Sequence, residues 1–385
     1  MISYNSKTLD NLEVLDTAEK AARKQCITVE EFNQIKKAYP VDLYTPNFYV
    51  RIGLFILTII VVSFGCGFFG LLTIGGGEKT FAGMLVFFGL VMIGAIEFMI
   101  REKKHHKSGV DTALMWMGGC AFVTSAFVFT DTHIDPIAIS LIVCVLATFY
   151  VLRYADALMT IVAFLALLSA LFFIFMHAGR MVIPFMAMAV SLGVYLVAVK
   201  LENIYTYRHY KTCLNILQIV ALVTLYLAGN YYVVREVSNE MFDLELKPGQ
   251  SIPGGWLFWI FTIVIPPLYI FAGIRKKDGI LIRTGLFLVA GIVYTIRTYH
   301  SVAPIEVAMT FGGIILIAVA YGLTKLLTPS RNGFTAEKTD DDVEDALQLE
   351  SLVIAQTFSH TGGPSQDQFD LGGGSGSGGG ASGGY

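Results

Sequence analysis

Apolar and polar residues along the chain are gathered into long blocks. Between about Val50 and Leu327 one unit repeats: an apolar run, then a short polar break. Each run is roughly 17–25 residues, enough for a helix to cross about 30 Å of hydrocarbon. Ten runs are expected to span, at 50–74, 81–100, 110–129, 136–152, 157–176, 181–199, 213–233, 256–274, 280–298 and 304–325. Within hydrocarbon the backbone must pair its own N–H and C=O groups, which leaves helices or closed barrels. Barrel strands would alternate over about ten residues, and these runs do not. The expected fold is an all-α polytopic bundle of about ten transmembrane helices, with short cytosolic helical ends.

The ends have a different pattern. Leu9, Leu12, Leu15, Ala18 and Ala22 recur at helical spacing, and Thr28-Val29-Glu30-Glu31 has the form of a capping box before Phe32, Ile35, Ala38 and Tyr39. Pro40 closes the second helix. Residues 1–48 therefore read as a helical hairpin, too small to bury a core alone. It is expected to pack on the inner face of the bundle, on a second copy, or on a partner. Beyond the bundle (49–325), residues 326–360 read as an acidic amphipathic helix. Asp340, Asp341, Asp342, Glu344 and Asp345 lie near its start, and Val343, Leu347, Val353, Ile354 and Phe358 supply apolar surface. Residues 361–385, rich in Gly and Ser, are expected to be a flexible tail.

The run Gln25-Cys26-Ile27-Thr28-Val29-Glu30-Glu31-Phe32, with Ile35-Lys36-Lys37, resembles the I-T-x-E-E-F hairpin of several bacterial proteins. One group with that hairpin is a bacterial polytopic membrane-protein family catalogued as a domain of unknown function, in which it precedes transmembrane helices. Short oligomerisation modules carry a similar hairpin. The resemblance implies an integral membrane protein and brings no catalytic residue with it. The glycine-rich ending is similar to that of some bacterial membrane-associated proteins.

Charge orients the expected spans. With the N-terminus inside, 22 of the 27 Lys and Arg residues fall on inner segments and 5 on outer ones, a positive-inside distribution with both termini cytoplasmic. The 55% hydrophobic and 15% charged composition excludes a soluble globular domain and an ordinary basic nucleic-acid binder. The expected setting is the bacterial inner membrane, with the lipid bilayer as the principal partner and no nucleic acid. The five cysteines show no CxxC spacing, so neither a disulfide framework nor a zinc ribbon is indicated.

Ionisable residues at membrane depth are candidates for function, because isolated charge there is costly. Glu97 and Asp111 flank the basic loop 101–107 and are expected to pair with it. Arg297 and Glu306, near the outer ends of adjacent spans, are expected to pair with each other. Pro266 and Pro267 lie mid-span and would free two carbonyls, a feature of broken transporter helices. His133, His177 and His300, with nearby carboxylates, are the residues an outer-face zinc site would use. Without an HExxH pair, no catalytic residue, metal or cofactor is assigned. The leading expectation is a non-catalytic scaffold or envelope-associated factor that works through its hairpin. The alternatives are a secondary transporter for a small molecule and a membrane-embedded, metal-dependent enzyme of the outer face.

Overall fold

The computed structural model describes residues 2–299, apart from 131–132, 177–178, 180–181, 243–249 and the side chains at 74 and 242. Isolated residues between 310 and 325 are also described. The chain divides after Pro329, and the fold set out below is that of the first unit. Most of the tenth expected span, the acidic helix and the Gly/Ser tail lie outside the described residues.

Among the described residues the fold is helical, without a strand. Two short helices, α1 (Ser6–Arg23) and α2 (Val29–Ala38), form the N-terminal hairpin. Asn5 caps α1 through Lys7 N–H. Thr28 caps α2 with its hydroxyl on Glu31 N–H, while the Glu31 carboxylate takes Thr28 N–H, completing the expected capping box. The long helices follow: α3 (Phe48–Thr73), α4 (Gly77–Arg101), α5 (Val110–Phe129), α6 (Pro136–Tyr154), α7 (Ala157–Phe175) and α8 (Val182–Glu202). After a 3-10 turn, Tyr205–Tyr210, come α9 (Lys211–Gly229), the short α10 (Tyr231–Phe242), α11 (Gly255–Lys276) and α12 (Gly279–Tyr299). Nine segments among the described residues are long and apolar enough to span a bilayer. The protein is a multi-pass integral membrane protein.

Packing follows chain order. α4 lies on α5, α6 on α7, α8 on α9 and α11 on α12, making four antiparallel pairs. All four pairs turn at one end, through residues 102–109, 155–156, 203–210 and 277–278. The hairpin sits at that same end, touching three of the turning regions. Left-handed backbone makes the sharp turns possible there, at Lys104, Lys107, Gly109, Ala155 and Lys277. Gly109 has φ +89°, and a Cβ on it would collide with the Arg51 carbonyl. Ala155, at φ +53°, closes α6 against α7.

The interior has two main apolar clusters. One is built on Phe88, Met92, Ile96, Leu114, Met115 and Tyr150 of α4–α6. The other is built on Phe164, Leu222, Tyr226, Ile265, Tyr269 and Leu288 of α7, α9, α11 and α12. The most central helix is α9, with eight buried residues of 19, whereas α3 buries one of 26, Val62. Glycines set the closest crossing: a Cβ at Gly273 would press on Ile282, and one at Gly285 on Ile270 and the Pro266 carbonyl.

The seventh span differs from its expected extent of 213–233. The helix stops at Gly229, and a separate α10 begins at Tyr231. Asn230 is the reason. Its backbone is extended, at φ −77° and ψ 127°, and its side-chain oxygen accepts Tyr232 N–H at 3.0 Å and Val233 N–H at 3.3 Å. That is N-cap geometry for a new helix.

Candidate functional site

Two polar knots stand out in this apolar frame. The first is charged and lies at the turning end. Glu97, in the last turns of α4, receives Arg153 Nε at 2.7 Å and Nη2 at 2.8 Å, a two-pronged pair from the end of α6. Tyr154 Oη donates to the same carboxylate at 3.2 Å, and Arg101 Nε lies 3.3 Å away. The N-terminal segment completes the knot. Ser3 Oγ donates to Glu97 at 3.0 Å, and Ser3 N–H donates to the Arg153 carbonyl at 2.9 Å. Ile2, Tyr4 and Leu9 pack into the α4–α6 cluster below it.

Three further contacts fasten the hairpin. Asp10 takes Arg208 Nε at 2.9 Å and Nη2 at 2.8 Å, and Arg208 lies over the Tyr205 ring, 4.1 Å from its centroid. The guanidinium holds the Asp10 carboxyl below the usual carboxylate range. Tyr4 sets its ring edge-on to His106, 4.7 Å between centroids. Residues 41–47 run past the 102–109 turn, where Tyr44 and His105 form a backbone bridge and Lys104 pairs with Asp42 at 2.8 Å. Between α1 and the α8–α9 turn a cleft of about 1140 Å³ remains, lined by Glu13, Val14, Ala18, Ile35 and Glu202 among others. α2 buries none of its ten residues.

The second knot is uncharged and lies toward the other end, at the α9–α10 break. Asn230, 2% exposed, donates through Nδ2 to Tyr226 Oη at 3.0 Å and to Thr295 Oγ1 at 2.9 Å. Thr295 donates onward to the Gly291 carbonyl. Tyr231 N–H, free at the start of α10, donates to Thr262 Oγ1 of α11 at 2.9 Å. Four helices thus meet through amide and hydroxyl groups. Aromatic packing extends the knot outward: Tyr231 stacks on Trp259 at 4.8 Å, and Tyr299 meets Tyr231 edge-on at 5.1 Å.

The structure places the expected site residues as follows. Glu97 pairs with Arg101 of the basic loop and, more closely, with Arg153. Asp111 is buried and accepts Gly109 N–H and Thr112 N–H at 3.0 Å, so it orders the start of α5. Pro266 is fully buried against α12, whereas Pro267 faces outward on the same continuous helix. Arg297 is exposed, and its expected partner Glu306 lies outside the described residues. His133 is exposed in the α5–α6 loop, while His177 and His300 lie outside the described residues. Among the described residues no three His, Cys, Asp or Glu side chains form a metal-sized group.

No family model, curated protein or solved structure matches the chain.

Arg153, Ser3 and Asn230 carry the two knots, and none was among the principal expected sites. Gly229-Asn230 did offer a signal, since that pair is typical of a helix end followed by a cap. Ser108-x-x-Asp111 likewise matches a helix-start pattern. Nothing in the sequence joins Ser3 to Glu97 and Arg153.

Proposed function

We propose that the protein is a non-catalytic assembly factor of a bacterial inner membrane, which uses its N-terminal hairpin to recruit a protein partner or a second copy on the cytoplasmic side. The observation that carries this reading is the contrast within the hairpin. The N-terminal segment and α1 are fastened to the bundle by Glu97, Arg153 and Arg208, whereas α2 buries no residue. A motif held rigidly yet left uncovered is arranged to present a surface. The concentration of Lys and Arg in the turns at that end supports a cytoplasmic placement, and the resemblance of residues 25–37 to bacterial hairpins supports the family and the setting.

The test is recovery of the full chain from native membranes after cross-linking, beside a variant with Val29→Asp, Lys36→Glu and Lys37→Glu. The expected result is a stoichiometric partner or dimer, reduced at least tenfold in the variant, with the thermal midpoint of the bundle unchanged. Equal recovery from both proteins, or a monomer alone from both, would overturn the proposal.

A second reading, solute transport, draws on the Asn230 break. An interrupted helix beside proline-containing α11 is a device that transporters use to expose backbone groups to a substrate. Here the freed Tyr231 N–H is taken by Thr262, which favours the assembly reading.

A further inference from the structure

Three of the histidines described in the structure, His105, His106 and His209, all touch the N-terminal segment: His105 at Tyr44, His106 at Tyr4 and His209 at Asp10. The contacts at Tyr4 and at Asp10 differ in what acid does to them. We propose that the N-terminal segment is held by two latches, a histidine-gated seat for residues 2–4 that acid opens and an ion-pair clamp on α1 that acid leaves shut. This assigns a regulation to the hairpin surface and rests on the recruitment reading for its purpose.

The seat is formed by Tyr4, 7% exposed, standing edge-on to His106. His106 Nδ1 is buried and has no hydrogen-bond partner among the described residues. The charged groups facing the ring are Lys107 of the same turn, Asp111 of α5 and Arg51 of α3. The Asp111 Oδ1 is already occupied by two backbone N–H groups and lies near Ser108 Oγ. A proton on Nδ1 would therefore place a buried donor without an acceptor beside two cations. The Asp16 carboxyl of α1, whose field reaches Lys107, is pushed up from its usual value by partial desolvation.

The clamp behaves otherwise. Asp10 accepts two bonds from Arg208, and His209 Nε2 lies 3.7 Å from Asp10 Oδ1. Glu13 and Tyr205 are the remaining ionisable groups beside Arg208. Arg208 holds the Asp10 carboxyl down, so it stays ionised in mild acid.

The sign for the seat is fixed by linkage. Burial, then Lys107, pushes the His106 imidazole down to about 4, against about 6.5 when free. The seat is at full strength above about pH 6.5, and release is favoured about tenfold per pH unit on going down toward 4.

Hydrogen exchange by mass spectrometry on the detergent-solubilised full chain reads both latches without a partner. The reporters are the amides of residues 2–5, which include Ser3 N–H on the Arg153 carbonyl, and those of 10–23 for the clamp. After correction for intrinsic exchange, protection of 2–5 should fall at least tenfold between pH 7.5 and pH 5, with 10–23 unchanged. His106→Gln should remove the pH dependence, Tyr4→Ala should open the seat at both values, and Arg208→Gln should lower protection of 10–23 at both values while leaving the pH response of 2–5 in place. Constant protection of 2–5, joint loss of both segments, or an unaltered pH response in His106→Gln would each overturn the proposal. If His106→Gln does not fold, the wild-type profile and the Tyr4 and Arg208 variants still decide. A recruitment test that finds no partner leaves the latches standing, and failed latches leave recruitment standing.

Discussion

The two polar knots solve the same problem with different chemistry. The charged knot of Glu97 and Arg153 is half-exposed, each side chain retaining between a fifth and a third of its accessible surface. The uncharged knot at Asn230 is sealed, with Asn230, Thr262 and Thr295 each at or below 2% exposure. Full ionic charge is used where water still reaches and the carboxylate has several donors. Amides and hydroxyls are used where burial is complete, because a neutral group needs only its hydrogen bonds replaced, whereas an ion loses far more hydration. The charged knot also spans more of the chain, joining residues 3, 97 and 153. The neutral one stays within residues 226–295.

The largest effect should come from breaking the charged knot on one side only. Glu97→Ala leaves Arg153 half-buried without its carboxylate and frees Ser3, which should cost about 2–4 kcal/mol, read as a lower thermal midpoint in detergent. Adding Arg153→Met should recover part of that loss, since the stranded charge goes with it. A single variant as stable as wild type would place the knot among ordinary surface pairs. Asn230→Ala comes next, at about 2 kcal/mol for a lost cap and two buried side-chain bonds, with no recovery by a second substitution. A solute flux in proteoliposomes that this variant abolished without loss of stability would favour the transport reading over assembly. The smallest effect should follow Thr28→Ala, about 1 kcal/mol confined to α2. Proteolysis within residues 29–38 should quicken while the bundle midpoint stays fixed. A shift in that midpoint would show that α2 is coupled to the helices beneath.

The parts of this architecture legible from sequence are those set by one-dimensional pattern. The described spans and the capping box of α2 follow from run length and local spacing, which hydrocarbon thickness and orphan N–H groups impose directly. The pairing of Glu97 with Arg153 is different in kind, because they are 56 positions apart in sequence, with the whole of α5 between them. Only the up-and-down packing of α4, α5 and α6 brings the ends of α4 and α6 to one place. Asp111 draws notice in the sequence through its charge, although its position three residues after Ser108 also suits a helix start. The break at Asn230 was hidden by the apolar residues Tyr231–Val234 that follow it, which prolong the hydrophobic run past the point where the helix stops.

The ordering of helix pairs bears on how the protein is made. Each of the four antiparallel pairs is complete within a single short stretch of chain, from residues 136–175 at the shortest to 77–129 at the longest. A ribosome feeding such a sequence would deliver it to the membrane as finished two-helix parcels, with little waiting for distant partners. α3 is the exception. It precedes the other described spans in the chain, and among the described residues it hides a single residue. Its residence in the lipid must rest on its own greasiness, which makes the first span the natural place for the chain to be held while the rest assembles beside it.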